Sequence, residues 1–132
     1  MLKFSNQNMD IQTSIKTCFN KYATFSGRAS RSEFWFFILF GFLGGIITFI
    51  IDVMILGYSI ESEFTPINSI FSLVLIIPTI AVTCRRLHDV NKSGWWQLLW
   101  ITIIGGIVLI VWNATEGEKK KNRFGPSIKI KK

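Results

Sequence analysis

The sequence predicts an all-α membrane protein, and the distribution of its apolar residues supports that fold class. Hydrophobic residues make up 49% of the 132-residue chain. They are concentrated in three uncharged runs, 34–51, 64–84 and 93–115. Each run is close to the roughly 20 residues that a helix needs to cross about 30 Å of hydrocarbon. We predict one membrane domain, divided into 1–25 (cytoplasmic or interfacial), 31–56 (first span), 65–84 (second span), 85–94 (cytoplasmic loop), 95–112 (third apolar segment) and 113–132 (basic cytoplasmic tail).

A short amphipathic helix is predicted before the first span. Apolar residues between Ile11 and Tyr22 recur at the spacing of one helical face, and Lys16 and Lys21 lie on the opposite face. A helix of this kind lies in the plane of the membrane interface, where its lysines favour anionic lipid.

The first span begins with a helix cap and contains closely spaced glycines. Ser30 and Glu33 form the S-x-x-E capping box, which starts the helix at about Arg31. Gly41 and Gly45 form G-x-x-x-G, a spacing that lets a second helix approach closely. The alternative is that these glycines reflect only the frequency of glycine in membrane helices.

The connection to the second span is acidic. Asp52 lies near the end of the first span, and the loop 57–64 contains no Lys or Arg, so the positive-inside rule places this loop outside. Thr65 and Pro66 are typical of a helix start. Pro78 lies within the second span and is expected to kink it.

The third apolar segment allows two topologies. Of the 15 Lys and Arg residues, five precede the first span, none lies in the following loop, three separate the second and third segments, and seven lie in the tail. Three crossings would leave eight on one side and seven on the other, whereas a segment that returns leaves all 15 on one side. The positive-inside rule favours a helical hairpin broken at Gly105 and Gly106, with a third span as the alternative.

A group of charged residues forms the candidate site. In the hairpin topology Arg28, Arg31, Arg85, Arg86 and Arg123 meet at one interface. Guanidinium groups bind phosphate oxygens bidentately, so an anionic lipid headgroup is the expected ligand. Ordinary positive-inside anchoring of the helices is the alternative.

The chemistry of the remaining polar residues excludes several functions. His88 is the only histidine, so a multi-histidine metal site within one chain is excluded. His88 and Asp89 are expected to stabilise a turn and bind the neighbouring arginines. No nucleophile spacing is readable, so we predict no catalytic residue, no metal and no cofactor. The net charge of +7 is explained by topology, so nucleic-acid binding is not expected.

Three motifs, in order, resemble the signatures of a bacterial inner-membrane family, the domain of unknown function 805. They are Phe25-Ser-Gly-Arg-Ala-Ser-Arg-Ser-Glu-Phe-Trp35, Arg85-Arg-Leu-His-Asp89 with Ser93-Gly-Trp-Trp96, and Asn122-Arg-Phe-Gly-Pro126. The resemblance covers roughly residues 22–126 and adds Asn122 to the candidate site. It implies a small inner-membrane protein with no established activity. Members often have a Pro-x-x-Gly break in the last apolar segment, whereas here the proline is missing.

We therefore expect a non-enzymatic inner-membrane protein with both termini in the cytoplasm. Its Arg/His/Asp cluster is expected to bind anionic lipid headgroups or a protein partner that the sequence does not identify. The alternative is an oligomeric subunit of a small transporter or channel, associated through Gly41 and Gly45. A membrane enzyme acting on phosphate groups is a third hypothesis.

Overall fold

The structure, a computed structural model, describes residues 10–127. This part of the chain is helical and contains no extended strand. Its helices are α1 (Ile11–Asn20), α2 (Arg31–Met54), α3 (Pro66–Asp89), a 3₁₀ helix (Gly94–Ile101) and α4 (Ile103–Ala114). Both α2 and α3 are long and apolar enough to cross a membrane. The predicted all-α membrane fold is confirmed.

Helices α2 and α3 form an antiparallel pair. Each has 24 residues and is about 36 Å long. Large apolar side chains point outward, and Phe42 and Leu73 are each 66% exposed. Water would not stabilise such a surface, whereas lipid does. We call the end of the pair where α2 begins and α3 ends the charged end, because Glu33 of α2 there contacts Arg85 of α3.

The glycines of α2 bring it close to α3. A Cβ atom at Gly41 would lie 3.4 Å from Leu75, and one at Gly44 would lie 2.3 Å from the ring of Phe71. The carbonyl of Gly45 accepts a hydrogen bond from a side chain of α3 at 2.8 Å. The helix that approaches this glycine face is therefore α3 of the same chain.

Pro78 interrupts the hydrogen bonding of α3, and a side chain from the segment after α1 supplies the missing donor. Proline has no N–H, so the carbonyl of Val74, four residues earlier, has no intrahelical donor. The hydroxyl of Tyr22, just beyond α1, donates to that carbonyl at 2.5 Å. Pro78 itself predicts a kink, but nothing in the sequence indicates Tyr22 as the partner of this carbonyl.

Helix α1 packs on the pair at the charged end. Its Cys18 is fully buried in a core with Phe34, Phe37 and Val82. The ring of Phe19 packs edge-on against Phe37, with the ring centroids 5.6 Å apart. The amphipathic helix predicted from Ile11 therefore buries its apolar face against α2.

The carboxylate of Asp52, at the end of α2, caps the N-terminus of α3. Its two carboxylate oxygens accept hydrogen bonds from the backbone N–H groups of Ile67 at 3.0 Å and Asn68 at 2.8 Å. The side chain of Thr65, which the sequence suggests as the cap, makes no cap hydrogen bond, although Pro66 lies at the first helical position as predicted. A carboxylate at a helix N-terminus is stabilised by the orphan N–H groups and the helix dipole.

The third apolar segment folds back on itself. The rings of Trp96, near its start, and Trp112, near its end, contact each other at 5.7 Å between centroids. A continuous α-helix would separate these two residues by about 24 Å. Of the two topologies that the sequence leaves open, the structure therefore has the hairpin.

The predicted position of the break is wrong. The chain turns at Thr102, whose backbone is extended and whose hydroxyl accepts from the N–H of Gly105 at 2.9 Å. Gly105 and Gly106 lie in the first turn of α4 instead. A Cβ atom at Gly105 would lie 2.4 Å from the carbonyl oxygen of Leu99. The glycine is needed for the close approach of the two arms, whereas the turn itself uses threonine as an N-cap.

Candidate functional site

The site is built where the chain enters α2 and leaves α3. Helix α3 continues through residues 85–89, so the predicted loop 85–94 begins only after Asp89. The backbone N–H of Ala29 donates to the carbonyl of Arg85 at 3.0 Å, which holds the segment before α2 against this last turn. Asp89 is thereby brought within hydrogen-bonding distance of both Arg28 and Arg86.

The capping box at the start of α2 is only half formed. Ser30 accepts from the N–H of Glu33 at 3.1 Å, as predicted. The Glu33 carboxylate does not complete the box, because it forms a buried ion pair with Arg85. Glu33 is therefore a site residue that the sequence analysis misses, since the capping motif offers it a local partner.

Asp89 joins two arginines from different parts of the chain. One carboxylate oxygen accepts from Nε of Arg28 at 2.8 Å, and the other accepts from Nη1 of Arg86 at 2.6 Å. The side chains of all three residues are almost completely buried. The expected contact between Asp89 and the neighbouring arginines is present, and it ties the segment before α2 to the end of α3.

Backbone carbonyls surround the guanidinium groups. Nη1 of Arg28 donates to Lys120 at 3.0 Å and Gly125 at 3.2 Å. Nε of Arg86 donates to Asn113 at 3.0 Å, and its Nη2 donates to Thr115. The described part of the predicted basic tail, 115–127, is thus folded against these arginines. Residues 128–132 lie outside the described part.

The buried charges nearly balance. Three guanidinium groups, those of Arg28, Arg85 and Arg86, face the two carboxylates of Glu33 and Asp89. Arg85 and Arg86 are 0% exposed and Arg28 is 5% exposed. Burying an ion is costly unless it is paired and hydrogen-bonded, and the carbonyl dipoles help to supply the remaining negative potential. These three arginines are thus bound to internal partners, although Nη2 of Arg85 has no hydrogen-bond partner among the described residues.

His88 points away from this network. Its Nδ1 lies 2.8 Å from the carbonyl oxygen of Gly27, which only accepts, so Nδ1 carries the hydrogen. Its Nε2 lies 3.5 Å from Sγ of Cys84. The ring stacks on Phe124 at 3.9 Å, and the side-chain amide of Asn122 donates to the His88 carbonyl at 3.0 Å.

Accessible cations at the charged end include Arg31, Lys92 and Arg123. Arg123 is exposed, with its guanidinium 4.8 Å from the Phe124 ring centroid. Lys92 is half-buried, and its Nζ lies 5.0 Å from the ring centroid of Trp112. Arg31 is exposed and donates to a carbonyl at the end of α4 at 3.4 Å. All eight predicted site residues therefore lie at one end of the molecule, some facing inward and some outward.

A cavity of about 660 Å³ adjoins His88 between the end of α3 and the 3₁₀ helix. Its lining is mainly apolar and includes Ile80, Trp95, Leu98 and Trp100, with the thiol of Cys84 and the ring of His88 among the lining groups. The sequence does not indicate this cavity, because both of its walls have the composition of ordinary membrane segments.

Gly94 lets the 3₁₀ helix start in close contact with α3 at the edge of the cavity. A Cβ atom at Gly94 would lie 2.2 Å from Sγ of Cys84, so only glycine lets the 3₁₀ helix begin at this point. Among the described residues, no group of three His, Cys, Asp or Glu side chains could hold a metal ion.

Two long apolar helices, a folded-back third apolar segment and a charged end define an all-α membrane protein. Residues 22–126 match the family described as "Protein of unknown function (DUF805)". The chain belongs to this family.

Three relatives are from Escherichia coli strain K12. "Inner membrane protein YhaH" is 38% identical over 110 residues, covering 83% of this chain and 90% of the relative. "Inner membrane protein YhaI" is 40% identical over 105 residues, covering 79% and 85%. "Uncharacterized protein YiiR" is 32% identical over 112 residues, covering 80% and 68%. No solved structure matches the chain at a significant level. The relatives indicate an integral protein of the bacterial inner membrane.

Proposed function

We propose that this protein is a non-enzymatic inner-membrane protein that binds an anionic phospholipid at its charged end. The observation that carries this proposal is the apolar cavity of about 660 Å³ beside accessible cations. Ligand pockets in proteins are typically about 300–1,000 Å³ in volume, so the cavity has room for an acyl chain. The cations supply the charge that a lipid phosphate requires.

The proposed topology places the charged end in the cytoplasm. All the Lys and Arg residues then lie on the inner side, because the loop between α2 and α3 has none and the third segment returns. Two crossings by α2 and α3 leave both termini in the cytoplasm. The inner leaflet carries the negative surface potential that attracts such cations.

The arginines divide between two roles in this proposal. Arg28, Arg85 and Arg86 are buried and paired, so they hold the site together rather than contact the phosphate. Arg123 and Lys92 are the phosphate ligands. Arg123 is separated from the cavity wall by only the stacked rings of Phe124 and His88, and Lys92 precedes the cavity-lining Ser93.

Tryptophan quenching tests this binding. Trp95 and Trp100 line the cavity, so phospholipids brominated on the acyl chain quench their fluorescence when a chain enters it. We expect tighter binding of brominated phosphatidylglycerol than of brominated phosphatidylcholine. Each accessible cation is worth about 1 kcal/mol near an anionic surface, so Arg123→Gln and Lys92→Gln should each weaken phosphatidylglycerol binding about fivefold.

Matched variants separate a site from general surface charge. Lys16→Gln removes the same charge from α1 and should leave the affinity nearly unchanged. Ile80→Phe narrows the cavity without adding a fluorophore and should reduce quenching by both lipids. Equal effects of Lys16→Gln and Arg123→Gln would contradict a specific phosphate site, and unchanged quenching in Ile80→Phe would contradict occupation of the cavity.

A further inference from the structure

Cys84 and His88 form a thiol–imidazole pair one helical turn apart on α3. Their Sγ and Nε2 atoms are 3.5 Å apart, and the thiol can donate either to Nε2 or to the carbonyl oxygen of Phe25, which lies 3.4 Å from Sγ. The carbonyl of Gly27 binds Nδ1–H at 2.8 Å, which leaves the lone pair of Nε2 facing the thiol when the ring is neutral. A nucleophile, a base and a group that orients the base are the parts from which activated cysteines are built.

The pair faces the apolar cavity. Both side chains line it, together with Ile80, Trp95, Leu98 and Trp100. Cys84 is partly exposed, whereas Cys18, the other free thiol, is completely buried in the core. An alkyl chain bound in the cavity would therefore lie against the thiol of Cys84 and not against that of Cys18.

We propose that Cys84 is an S-acylation site that accepts a long fatty acyl group from an acyl thioester. This inference rests on the proposed function only in using the same cavity for an alkyl chain. Cysteines at a membrane interface are common acyl acceptors, and the cavity gives the attached chain an apolar environment.

The transfer balances without an oxidant or a reductant. Nε2 of His88 takes the proton from Cys84 as Sγ attacks the thioester carbonyl carbon. The bond between that carbon and the carrier sulfur then breaks, and the departing thiolate receives the proton from His88. The products are a thioester on Cys84 and a free carrier thiol. His88 acts as general base and then as general acid, a role that typically contributes about 10² to 10⁴ in rate.

The test uses an alkyne-tagged palmitoyl thioester of coenzyme A and the full-length protein in phospholipid vesicles. We expect a hydroxylamine-sensitive label on the wild type and on Cys18→Ser, and none on Cys84→Ser. His88→Gln should be labelled about a hundredfold more slowly. Label that persists in Cys84→Ser would overturn the proposal, as would His88→Gln reacting at the wild-type rate.

A second thiol in the same cavity distinguishes base catalysis from mere accessibility and from misfolding. Ser93 also lines the cavity, and its Oγ accepts from the N–H of Trp95, so Cys84→Ser combined with Ser93→Cys takes the thiol out of the observed contact with His88. We expect this double variant to be labelled as slowly as His88→Gln. Labelling at the wild-type rate would show that the cavity alone determines the reaction.

The outcomes for acylation and lipid binding are separable. Cys84→Ser leaves the cavity and its cations in place, so quenching by brominated phosphatidylglycerol should be unchanged in that variant. Loss of quenching with acylation retained would remove the proposed function alone, and the reverse result would remove acylation alone.

Discussion

Replacing Asp89 by asparagine tests the buried network most severely. The carboxylate binds Arg28 and Arg86 through different oxygens, at 2.8 and 2.6 Å. Asparagine keeps the size of the side chain but removes its charge. The net charge of the cluster of three guanidiniums and two carboxylates then rises from +1 to +2 in a site closed to water. Leaving a buried charge without its partner costs about 3–5 kcal/mol.

Thermal unfolding in mild detergent gives the measurement. Cys18 is 0% exposed, so a fluorogenic maleimide reacts with it only as the fold opens, in a Cys84→Ser background that removes the other thiol. A loss of about 3 kcal/mol corresponds to a Tm lower by on the order of 10 °C for a chain of this size.

Two variants separate charge from packing. Glu61→Gln removes an acidic charge from the exposed loop between α2 and α3 and should leave Tm nearly unchanged. Adding Arg28→Gln to Asp89→Asn removes one of the stranded cations, so the double variant should lose less stability than the two single effects combined. An Asp89→Asn protein that melts within about 2 °C of the wild type would refute this account of the charged end.

Three further predictions concern the hairpin, the proline and the buried thiol. Gly105→Ala should destabilise the protein by about 1–3 kcal/mol, because the added Cβ atom would clash with a backbone carbonyl oxygen. Gly106→Ala should cost much less, because its Cβ atom would lie 3.3 Å from the Trp100 ring. Equal stability of the two variants in thermal unfolding would contradict the folded-back arms. Tyr22→Phe should lower the free energy of unfolding by about 1–3 kcal/mol in the wild type. It should lower it little in Pro78→Ala, because alanine restores the N–H that the Val74 carbonyl lacks. Additive effects of Tyr22→Phe and Pro78→Ala would argue against coupling between the two residues. Burial, with a smaller effect of the Glu33 charge, raises the pKa of Cys18 to about 12, so the folded thiol is both protonated and closed to reagents. In a Cys84→Ser background, maleimide should therefore hardly label Cys18 at pH 7 or pH 8 well below Tm, and rapid labelling there would contradict this.

The two long helices were predictable from sequence because their signals are local. Uncharged runs give the helices, and Ser30 gives the start of α2 through a hydrogen bond that spans three residues. The same motif misleads about Glu33, because its buried partner Arg85 lies 52 residues away. A capping pattern specifies which groups are nearby and not which of them form the stronger interaction.

The third segment shows a different limit of the sequence signals. Charge counting favours the hairpin because it depends only on the side of the membrane that each region occupies, and the segment does fold back on itself. The turn position depends instead on how closely the two arms pack, and glycine serves that contact at Gly105 while Thr102 makes the turn.

The docking of the tail was not predictable from its basic composition. Arg28 and Arg86 bind it through the carbonyls of Glu118, Lys120 and Thr115, and every residue type has a carbonyl. The side chains of these three residues therefore carry no signal for this contact, whereas Asn122 and Phe124 of the third motif contact His88 through their side chains. The lysines that dominate the sequence of the tail predict only its solvated face.

The location of the C-terminus tests the central claim, that the third segment returns to the side from which it entered. A cytoplasm-active reporter and a periplasm-active reporter are placed in turn after Lys132, with a fusion in the loop 57–64 as the opposite-side control. The account predicts activity of the cytoplasmic reporter only, with the control active in the periplasm. A periplasmic C-terminus would mean three crossings, would separate Arg123 from Arg28 and Arg86 across the membrane, and would contradict both the hairpin and the site built on it.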